Sequence, residues 1–285
     1  LIKVRVAEDG DTLKPESITV LDPACGSGHI LVEAYDLLKE IYLERGYKQR
    51  DIPRLILKHN LFGLDIDDRA AQLAGFALLM KARADDRRLF DNTPVLNVLA
   101  IQNSQGLDDE LMADVVMQAA VKLEGGEVLG NRDLFGGGAL ATEHSSGLKA
   151  ADLRELIRFF ECGKTFGSLL TVSETLAEKL PKLEVLLAQV IAQGDSLAKS
   201  YAVQIWGDYL QPALVLAQRY DAVVANPPYM GSKYHTPDVK KFLKSNFSDY
   251  DKDLFSAFIV HCLQMTKENG QLGFMTPFVW MFISS

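Results

Sequence analysis

Asn226, Pro227, Pro228 and Tyr229 follow directly after a short apolar run and have the side chains needed to act on a planar amino group. Such an amino group is a weak nucleophile because its lone pair is delocalised into the attached ring or carbonyl. Two acceptors, the Asn226 side-chain carbonyl and the Pro227 backbone carbonyl, would localise that lone pair. The prolines stiffen the backbone because each restricts φ to about −65°. Tyr229 offers a ring on which a base can stack.

A second stretch, residues 20–28, joins an apolar run to a glycine-rich turn. Gly26 and Gly28 allow the backbone to turn tightly and to approach a ligand without a Cβ in the way. A helix starting here would direct free N–H groups at the ligand, and Asp22 could hold an ammonium group. The turn lacks both the GxGxxG dinucleotide pattern and the Lys-Ser/Thr pair of a phosphate loop. Their absence fits a cofactor without phosphates, such as S-adenosylmethionine. Taken alone, the turn could be a generic strand-to-helix turn, but together with the NPPY run it points to methyl transfer from that cofactor.

Asp65 ends another apolar run and is the candidate acceptor for the ribose hydroxyls of this cofactor. In dinucleotide folds an acid after the second strand has that role, and one carboxylate can accept from both hydroxyls. The neighbouring Asp67 is expected instead to cap the next helix. Near the end of the third strand, Asn97 could bond the adenine amino group.

These motifs require strands that end side by side in a parallel sheet. Apolar runs predict strands over 18–21, 61–66, 95–99, 220–225 and 271–275. Helical periodicity predicts helices over 28–45 with a cap at Gly46, 53–58, 67–83 and 253–268. Between the third and fourth strands it predicts only helices, over 108–123, 149–160, 167–194 and 197–219, and a Gly-rich loop over 125–147.

The resulting fold is α/β, a Rossmann-like methyltransferase sheet that is mostly parallel, with helices on both faces and an inserted helical region. Residues 1–106 would form the S-adenosylmethionine-binding half of the methyltransferase domain, 107–219 the insertion and 220–285 the catalytic half. Because the sequence begins with Leu1 and ends in apolar residues, we expect a piece of a longer protein, incomplete at its C-terminus.

Composition sets further limits. The chain has 285 residues, 48% apolar and 24% charged, as in ordinary globular proteins. Its net charge of −8 is unusual for a nucleic-acid-binding protein, although residues 231–247 hold four lysines and one aspartate and could contact phosphates or form a solvated helix face. His235 in this stretch is expected to be an exposed loop residue. The three cysteines have neither metal-type nor disulfide spacing, so we expect no metal and a cytoplasmic protein, and no apolar run has membrane-spanning length.

Three runs, Asp22 to Gly28, Gly63 to Asp67 and Asn226 to Tyr229, resemble the amino-group DNA methyltransferases whose cofactor motif comes first. Within these, the NPPY form implies methylation at N6 of adenine in double-stranded DNA. A duplex base is out of reach of an active site, so the target base would be flipped. The run NPPYMGSKY and the long insertion are similar to the adenine methyltransferases of BREX phage-defence systems. This implies restriction-modification or phage defence, with other defence subunits as partners.

The expected site residues form two sets. The resemblance implies that S-adenosylmethionine is contacted by Asp22, Ala24, Gly26, Gly28 and Asp65, to which we add Pro23, Ile66 and Asn97. The target adenine would be held by Asn226, Pro227, Pro228 and Tyr229. Two features depart from the family pattern: residues 1–16 offer no clear cofactor motif, and the 285 residues do not include the family's later strands and target-recognition domain.

Other interpretations stay open. Release-factor glutamine methyltransferases also use an NPPY motif, because a glutamine amide presents the same planar nitrogen, but they are compact and lack a helical insertion. A ribosomal-RNA amino methyltransferase fits less well. A protein of another class, a non-catalytic subunit that binds S-adenosylmethionine in a defence complex, would use the insertion for docking. The joint presence of Asp22, Asp65, Asn226 and Tyr229 argues against that class.

Overall fold

The computed structural model of the chain describes residues 14–125 and 144–277. Its strands are β1 (Val20–Asp22), β2 (Leu61–Asp65), β3 (Asn97–Ala100), β4 (Tyr220–Ala225) and β5 (Thr266–Phe274). They form one sheet in the order β3-β2-β1-β4-β5, in which each neighbouring pair is parallel. This confirms the predicted α/β Rossmann-like fold class. The strand order reverses between β1 and β4, and open parallel sheets bind ligands beyond the carboxyl ends of the strands at such a point.

The α-helices of the described residues are α1 (His29–Glu44), α2 (Ile52–Leu55), α3 (Asp68–Asp85), α4 (Asp109–Leu123), α5 (Ala150–Phe159), α6 (Gly163–Phe166), α7 (Glu174–Gln193), α8 (Ser196–Ile205), α9 (Gln211–Ala217), α10 (Pro237–Asn246) and α11 (Leu254–Gln264). Short 3-10 turns lie at Pro15–Ser17, Leu89–Asn92, Gly167–Leu169 and Ser232–Tyr234, and π-helical turns lie at Ile56–Asn60 and Trp206–Leu210. None of these helices combines the length and apolar character needed to cross a membrane.

The chain divides into two compact units. One is formed by the chain up to Ala100 together with the chain from Arg219, and it contains the whole sheet. The other is Ile101–Gln218, which holds α4 to α9 and has no strand among its described residues. Most of the Gly-rich loop that the sequence predicts over 125–147 lies outside the described residues.

Two predicted helix boundaries in the first unit are confirmed by their caps. Gly46 has a φ of +79° and donates its N–H to the Leu43 carbonyl at 2.9 Å, which ends α1. Asp67 accepts hydrogen bonds from the N–H groups of Arg69 and Ala70, at 2.8 and 3.1 Å, and so starts α3. Helices α1 and α3 pack against each other and against β2, which holds the strand ends in place.

Side chains at the amino-terminal edge of the sheet join three of its strands. Asp221 of β4 accepts hydrogen bonds from the Thr19 N–H and hydroxyl, at 2.8 and 2.9 Å, just before β1. The same carboxylate forms an ion pair with Lys267 of β5 at 2.7 Å. The amino-terminal edge is thus fixed by its own polar groups, and the opposite edge is the one that carries the predicted site.

Two long helices predicted in the second unit are interrupted. The helix expected from residue 167 begins only at Glu174, because Ser173 caps α7 by accepting from the Leu176 N–H at 3.2 Å. The helix expected over 197–219 is instead α8, a π-helical turn and α9. Pro212 near the start of α9 has no N–H to donate to the preceding turn, which accounts for the irregularity.

The last strand is longer than predicted. The helix expected over 253–268 ends at Gln264, and β5 starts at Thr266, which pairs with Tyr220. The register between β4 and β5 then shifts, so that Ala222 lies opposite Gln271. Between these points Asn269 has a φ of +66°, a conformation that asparagine tolerates better than most residues and that a helix cannot contain.

Candidate active site

The glycine turn after β1 is held by hydrogen bonds between its backbone and two acids. Asp22 Oδ1 accepts from the Ala24 N–H at 3.1 Å, and Asp65 Oδ2 accepts from the Gly26 N–H at 2.8 Å. The Cys25 N–H donates to a β2 carbonyl at 3.0 Å, so the turn lies against the end of that strand. Asp22 and Asp65, which belong to separate sequence motifs, therefore meet at one turn.

Gly26 and Gly28 have positive φ values of +51° and +83°, but their surroundings differ. A Cβ added at Gly28 would lie 2.8 Å from the Ala74 Cβ and 2.9 Å from its Cα, in α3. Helix packing therefore requires glycine at this position. A Cβ added at Gly26 would meet no atom within 4 Å. The open side of the turn is thus at Gly26, where a ligand can approach the backbone.

Burial changes the electrostatics of this turn. Asp22 is 1% exposed, and burial raises the pKa of its carboxyl to about 7; the hydrogen bond from Ala24 opposes this rise, and the charge of Asp65 adds to it. Burial, followed by the charges of both acids, also raises the pKa of the Cys25 thiol, which keeps it protonated at neutral pH. Two neighbouring acids, one buried and one partly buried, favour a cationic ligand. S-adenosylmethionine, with its ammonium and sulfonium groups, fits such a turn.

Asp65 uses both carboxylate oxygens to hold the backbone, since its Oδ1 also accepts from the Asp67 N–H at 2.8 Å. A carboxylate has about four acceptor positions, so capacity remains for ribose hydroxyls, and that role stays a prediction. The next residue, Ile66, is 49% exposed beside this edge. Pro23, in contrast, is buried within the turn and contributes its shape.

Asn97 does not lie with the other predicted cofactor residues. It is the first residue of β3 and pairs with Phe62, whereas Ala100 is the β3 residue opposite Asp65. Three residues of a strand span about 10 Å. The Asn97 side chain donates to the Lys58 carbonyl at 3.1 Å, at the amino-terminal edge of the sheet. Asn97 therefore lies away from Asp65, because β3 begins two residues later than the apolar pattern predicts, and its contact with the cofactor adenine stays a prediction.

Asn226 follows β4 directly, and β4 pairs with β1. The NPPY loop and the glycine turn thus extend from neighbouring strands at the same edge of the sheet. Asn226, Pro228 and Tyr229 are exposed, whereas Pro227 is buried. A buried, φ-restricted residue between exposed ones holds the loop while leaving its polar groups accessible.

Tyr229 joins Asn226 to the end of β5. Its hydroxyl lies 2.9 Å from Asn226 Oδ1 and 2.9 Å from the Met275 carbonyl oxygen. A hydroxyl carries one proton, so these two acceptors compete for it. The Tyr229 ring is 52% exposed and packs edge-on against Phe255, with 6.3 Å between ring centroids. Neither Phe255 nor Met275 is marked by any motif in the sequence.

The loop after Tyr229 is anchored by a histidine that the sequence predicts to be exposed. That prediction is wrong: His235 is 5% exposed, and its Nε2 lies 2.7 Å from the Met230 carbonyl oxygen. The Leu254 N–H donates to the same oxygen at 3.0 Å, which ties the loop to the start of α11. Polar neighbours surround His235 in sequence, so no apolar pattern could have revealed its burial.

A parallel sheet whose strand order reverses beside the candidate site places the protein in the Rossmann-like methyltransferase fold class. Residues 59–285 match the Eco57I restriction-modification methylase family, and the chain belongs to this family.

The chain is also similar to individual methyltransferases. The chain is 47% identical over 277 residues to the adenine-specific methyltransferase BrxX of Escherichia coli O9:H4 (strain HS), a match that covers 96% of the chain and 22% of that protein. It is 31% identical over 277 residues to the adenine-specific methyltransferase PglX of Lacticaseibacillus casei (strain Zhang), covering 95% of the chain and 20% of that protein. It is 32% identical over 127 residues to the type II restriction enzyme and methyltransferase RM.Eco57I of Escherichia coli, covering 40% of the chain and 12% of that protein.

These similarities confirm the expected resemblance to BREX-type adenine methyltransferases. The chain spans about a fifth of the length of BrxX and PglX.

Proposed function

We propose that this chain holds the cofactor and catalytic sites of an enzyme that methylates N6 of adenine in double-stranded DNA. The observation that carries the proposal is the placement of the glycine turn and the NPPY loop at the ends of the neighbouring strands β1 and β4. The family match and the names of BrxX and PglX, both adenine-specific methyltransferases, support adenine over a glutamine amide.

The chain's own residues would bind S-adenosylmethionine at the glycine turn. Asp22 would hold the ammonium group of its methionine part, and Gly26 would let the ligand approach the backbone on the open side of the turn. Asp65 would accept from the ribose hydroxyls, beside the exposed Ile66. When bound, the cofactor supplies a methyl group on a sulfonium, which makes that carbon electrophilic.

The NPPY loop would orient the adenine amino group. Asn226 Oδ1 and the Pro227 carbonyl would each accept one N–H of that group, which localises the nitrogen lone pair for attack. Tyr229 would stack on the base through its exposed ring. No residue has to remove a proton before the attack, because the amine becomes acidic only after it gains the methyl group. The proton can then pass to water.

A base inside a duplex cannot reach this edge of the sheet, so the target adenine would be flipped out of the helix. The free cysteines of the described residues, Cys25, Cys162 and Cys262, fit a reducing cytoplasm. The names of the relatives support a role in phage defence or restriction-modification, in which other subunits of the defence system would be partners.

The test uses the natural protein that carries this sequence, incubated with duplex DNA and S-adenosylmethionine labelled in its methyl group. The DNA is digested to nucleosides and the labelled product identified by mass spectrometry, with Asn226→Ala as the inactive control. N6-methyldeoxyadenosine is the expected product. Label on protein, on RNA alone or on cytosine would contradict the proposal, and tight cofactor binding without transfer to any acceptor would favour the non-catalytic subunit.

A further inference from the structure

A basic surface follows the NPPY loop in an otherwise acidic chain. We define the lysine surface as Lys233, Tyr234, Lys240, Lys241 and Lys244, all of which are exposed. The chain as a whole carries a net charge of −8. Positive charge concentrated at one place in such a chain indicates an anionic partner at that place.

Within the part of the chain that the structure describes, some lysines are paired with carboxylates, whereas two lysines of α10 are not. Lys39, Lys179 and Lys267 form ion pairs with carboxylates at 2.6, 2.7 and 2.7 Å. Among the described residues, no carboxylate forms an ion pair with Lys240 or Lys244. Their charges are therefore not neutralised within the described part of the chain and are available to an external anion.

The geometry of α10 presents these lysines together. Lys240 and Lys244 are four residues apart and so lie on one side of the helix, with Lys241 beside them. Leu243 of the same helix is fully buried and packs α10 against the protein, while the lysines stay exposed. A helix of ten residues is about 15 Å long, which matches about four base pairs of duplex DNA at about 3.4 Å each.

The lysine surface is joined directly to the proposed catalytic loop. The buried His235, whose Nε2 bonds the Met230 carbonyl, precedes the α10 cap Thr236 by one residue. The Ser232 N–H, in the same loop, donates to the Lys252 carbonyl at 2.8 Å. Lys233 lies 5.9 Å from the centre of the exposed Tyr234 ring, which keeps a charge and an aromatic face together. A strand bound by this surface would therefore be held close to Tyr229.

We propose that the lysine surface binds the phosphate backbone of duplex DNA beside the target adenine. This inference rests on the proposed function, because it takes DNA as the substrate. Lysine contacts to phosphates are independent of sequence, so the surface contributes affinity and register and does not choose the recognition sequence.

The test compares two double variants of the natural protein that remove the same charge. Lys240→Gln with Lys244→Gln removes two charges from the lysine surface. Lys48→Gln with Lys58→Gln removes two exposed charges from other parts of the same unit and is the matched control. Equilibrium binding to a duplex without the recognition sequence is measured between about 50 and 200 mM salt, the range in which phosphate contacts are screened.

Each lost phosphate contact reduces the slope of log K against log salt by about 0.9. The first double variant should therefore show a slope smaller by about 2 than that of the unmodified protein, and the control should show no change. Equal slopes in both variants would overturn the proposal. So would a change that appears with duplex RNA and not with duplex DNA.

Methylation measured on the same samples separates this inference from the proposed function. Methylation of DNA together with equal salt slopes would support the proposed enzyme activity and contradict DNA binding by the lysine surface. A lysine-dependent slope in a protein that methylates no DNA would support DNA binding by the lysine surface and contradict the proposed activity.

Discussion

The glycine turn and the NPPY loop extend from neighbouring strands, yet they are held by different means. In the turn, backbone N–H groups bond two acids, and Asp22 is 1% exposed. In the loop, the exposed Asn226 and Tyr229 side chains bond each other, and Tyr229 is 52% exposed. Packing and backbone hydrogen bonds therefore shape the turn before a ligand arrives. The loop instead keeps its polar groups where a substrate can replace their present partners.

Removing one acceptor from each region tests most directly whether the turn and the loop have separate roles. Asn226→Ala should lower the methylation rate by about 10²–10³-fold, the cost of losing one preorganised polar group, with little change in affinity for S-adenosylmethionine. Asp65→Ala should weaken cofactor affinity, because it removes the acceptor of the Gly26 N–H. Titration calorimetry and single-turnover assays measure the two effects. Equal loss of cofactor affinity in both variants would show that the regions are not separate.

Substituting each of the two glycines of the turn tests which of them is required by helix packing. Gly28→Ala should destabilise the protein by about 2–4 kcal/mol, since it combines positive-φ strain with a clash against Ala74. Gly26→Ala should cost only about 1 kcal/mol of strain, because its Cβ meets no protein atom. It should nevertheless weaken cofactor binding. Chemical denaturation compares the two, and similar destabilisation by both would contradict the distinction.

The buried acid of the turn should make cofactor affinity depend on pH. Because the pKa of Asp22 is raised to about 7, the carboxyl is protonated below that pH and cannot bind a cation well. Affinity for S-adenosylmethionine should rise up to about tenfold per pH unit below about pH 7 and stop rising near neutral pH, because the ammonium of the ligand loses its own proton near about pH 8. Calorimetry across this range tests the effect, and Asp22→Asn should flatten the profile. An unchanged profile in that variant would assign the dependence to another group.

The raised pKa of Asp22 also affects the free energy of unfolding of the protein without cofactor. Between its ordinary pKa of 3.8 and about 7, Asp22 holds a proton in the folded protein that it has lost in the unfolded chain. Stability should therefore fall as the pH rises through this window, by up to about 1.4 kcal/mol per unit from this group. The Asp22→Asn variant, measured by denaturation at each pH, provides the control.

The smallest effect is expected from the Tyr229 hydroxyl. Tyr229→Phe keeps the stacking ring and removes only the bond to Asn226 and Met275, so we expect a change in KM for DNA of less than about threefold. Tyr229→Ala removes the ring and should cost about 1–3 kcal/mol of base binding. Steady-state kinetics on both variants distinguishes the roles. An equal loss in the two variants would mean that the hydroxyl, not the ring, serves the substrate.

The sequence alone predicts the fold class because apolar runs and helical periodicity are local properties. The strands β1, β2 and β4, the caps Asp67 and Gly46 and the helical character of the middle region all follow from short stretches of chain. Asp22, Asp65 and Asn226 could be selected because strand-end motifs identify themselves by residue type and spacing. Their meeting at one edge follows once a parallel sheet is assumed.

Tertiary structure decides what depends on residues distant in sequence. Asn97 lies at the first position of β3, three residues before the residue that pairs with Asp65, because β3 begins two residues later than predicted; apolar patterns do not define strand ends that well. The burial of His235 depends on the start of α11, and the need for glycine at position 28 depends on Ala74 in α3. Such requirements arise from contacts between elements, so they are absent from any single stretch of the chain. The sequence by itself determined which residues carry the chemistry, and the packing of the elements decided which of them meet.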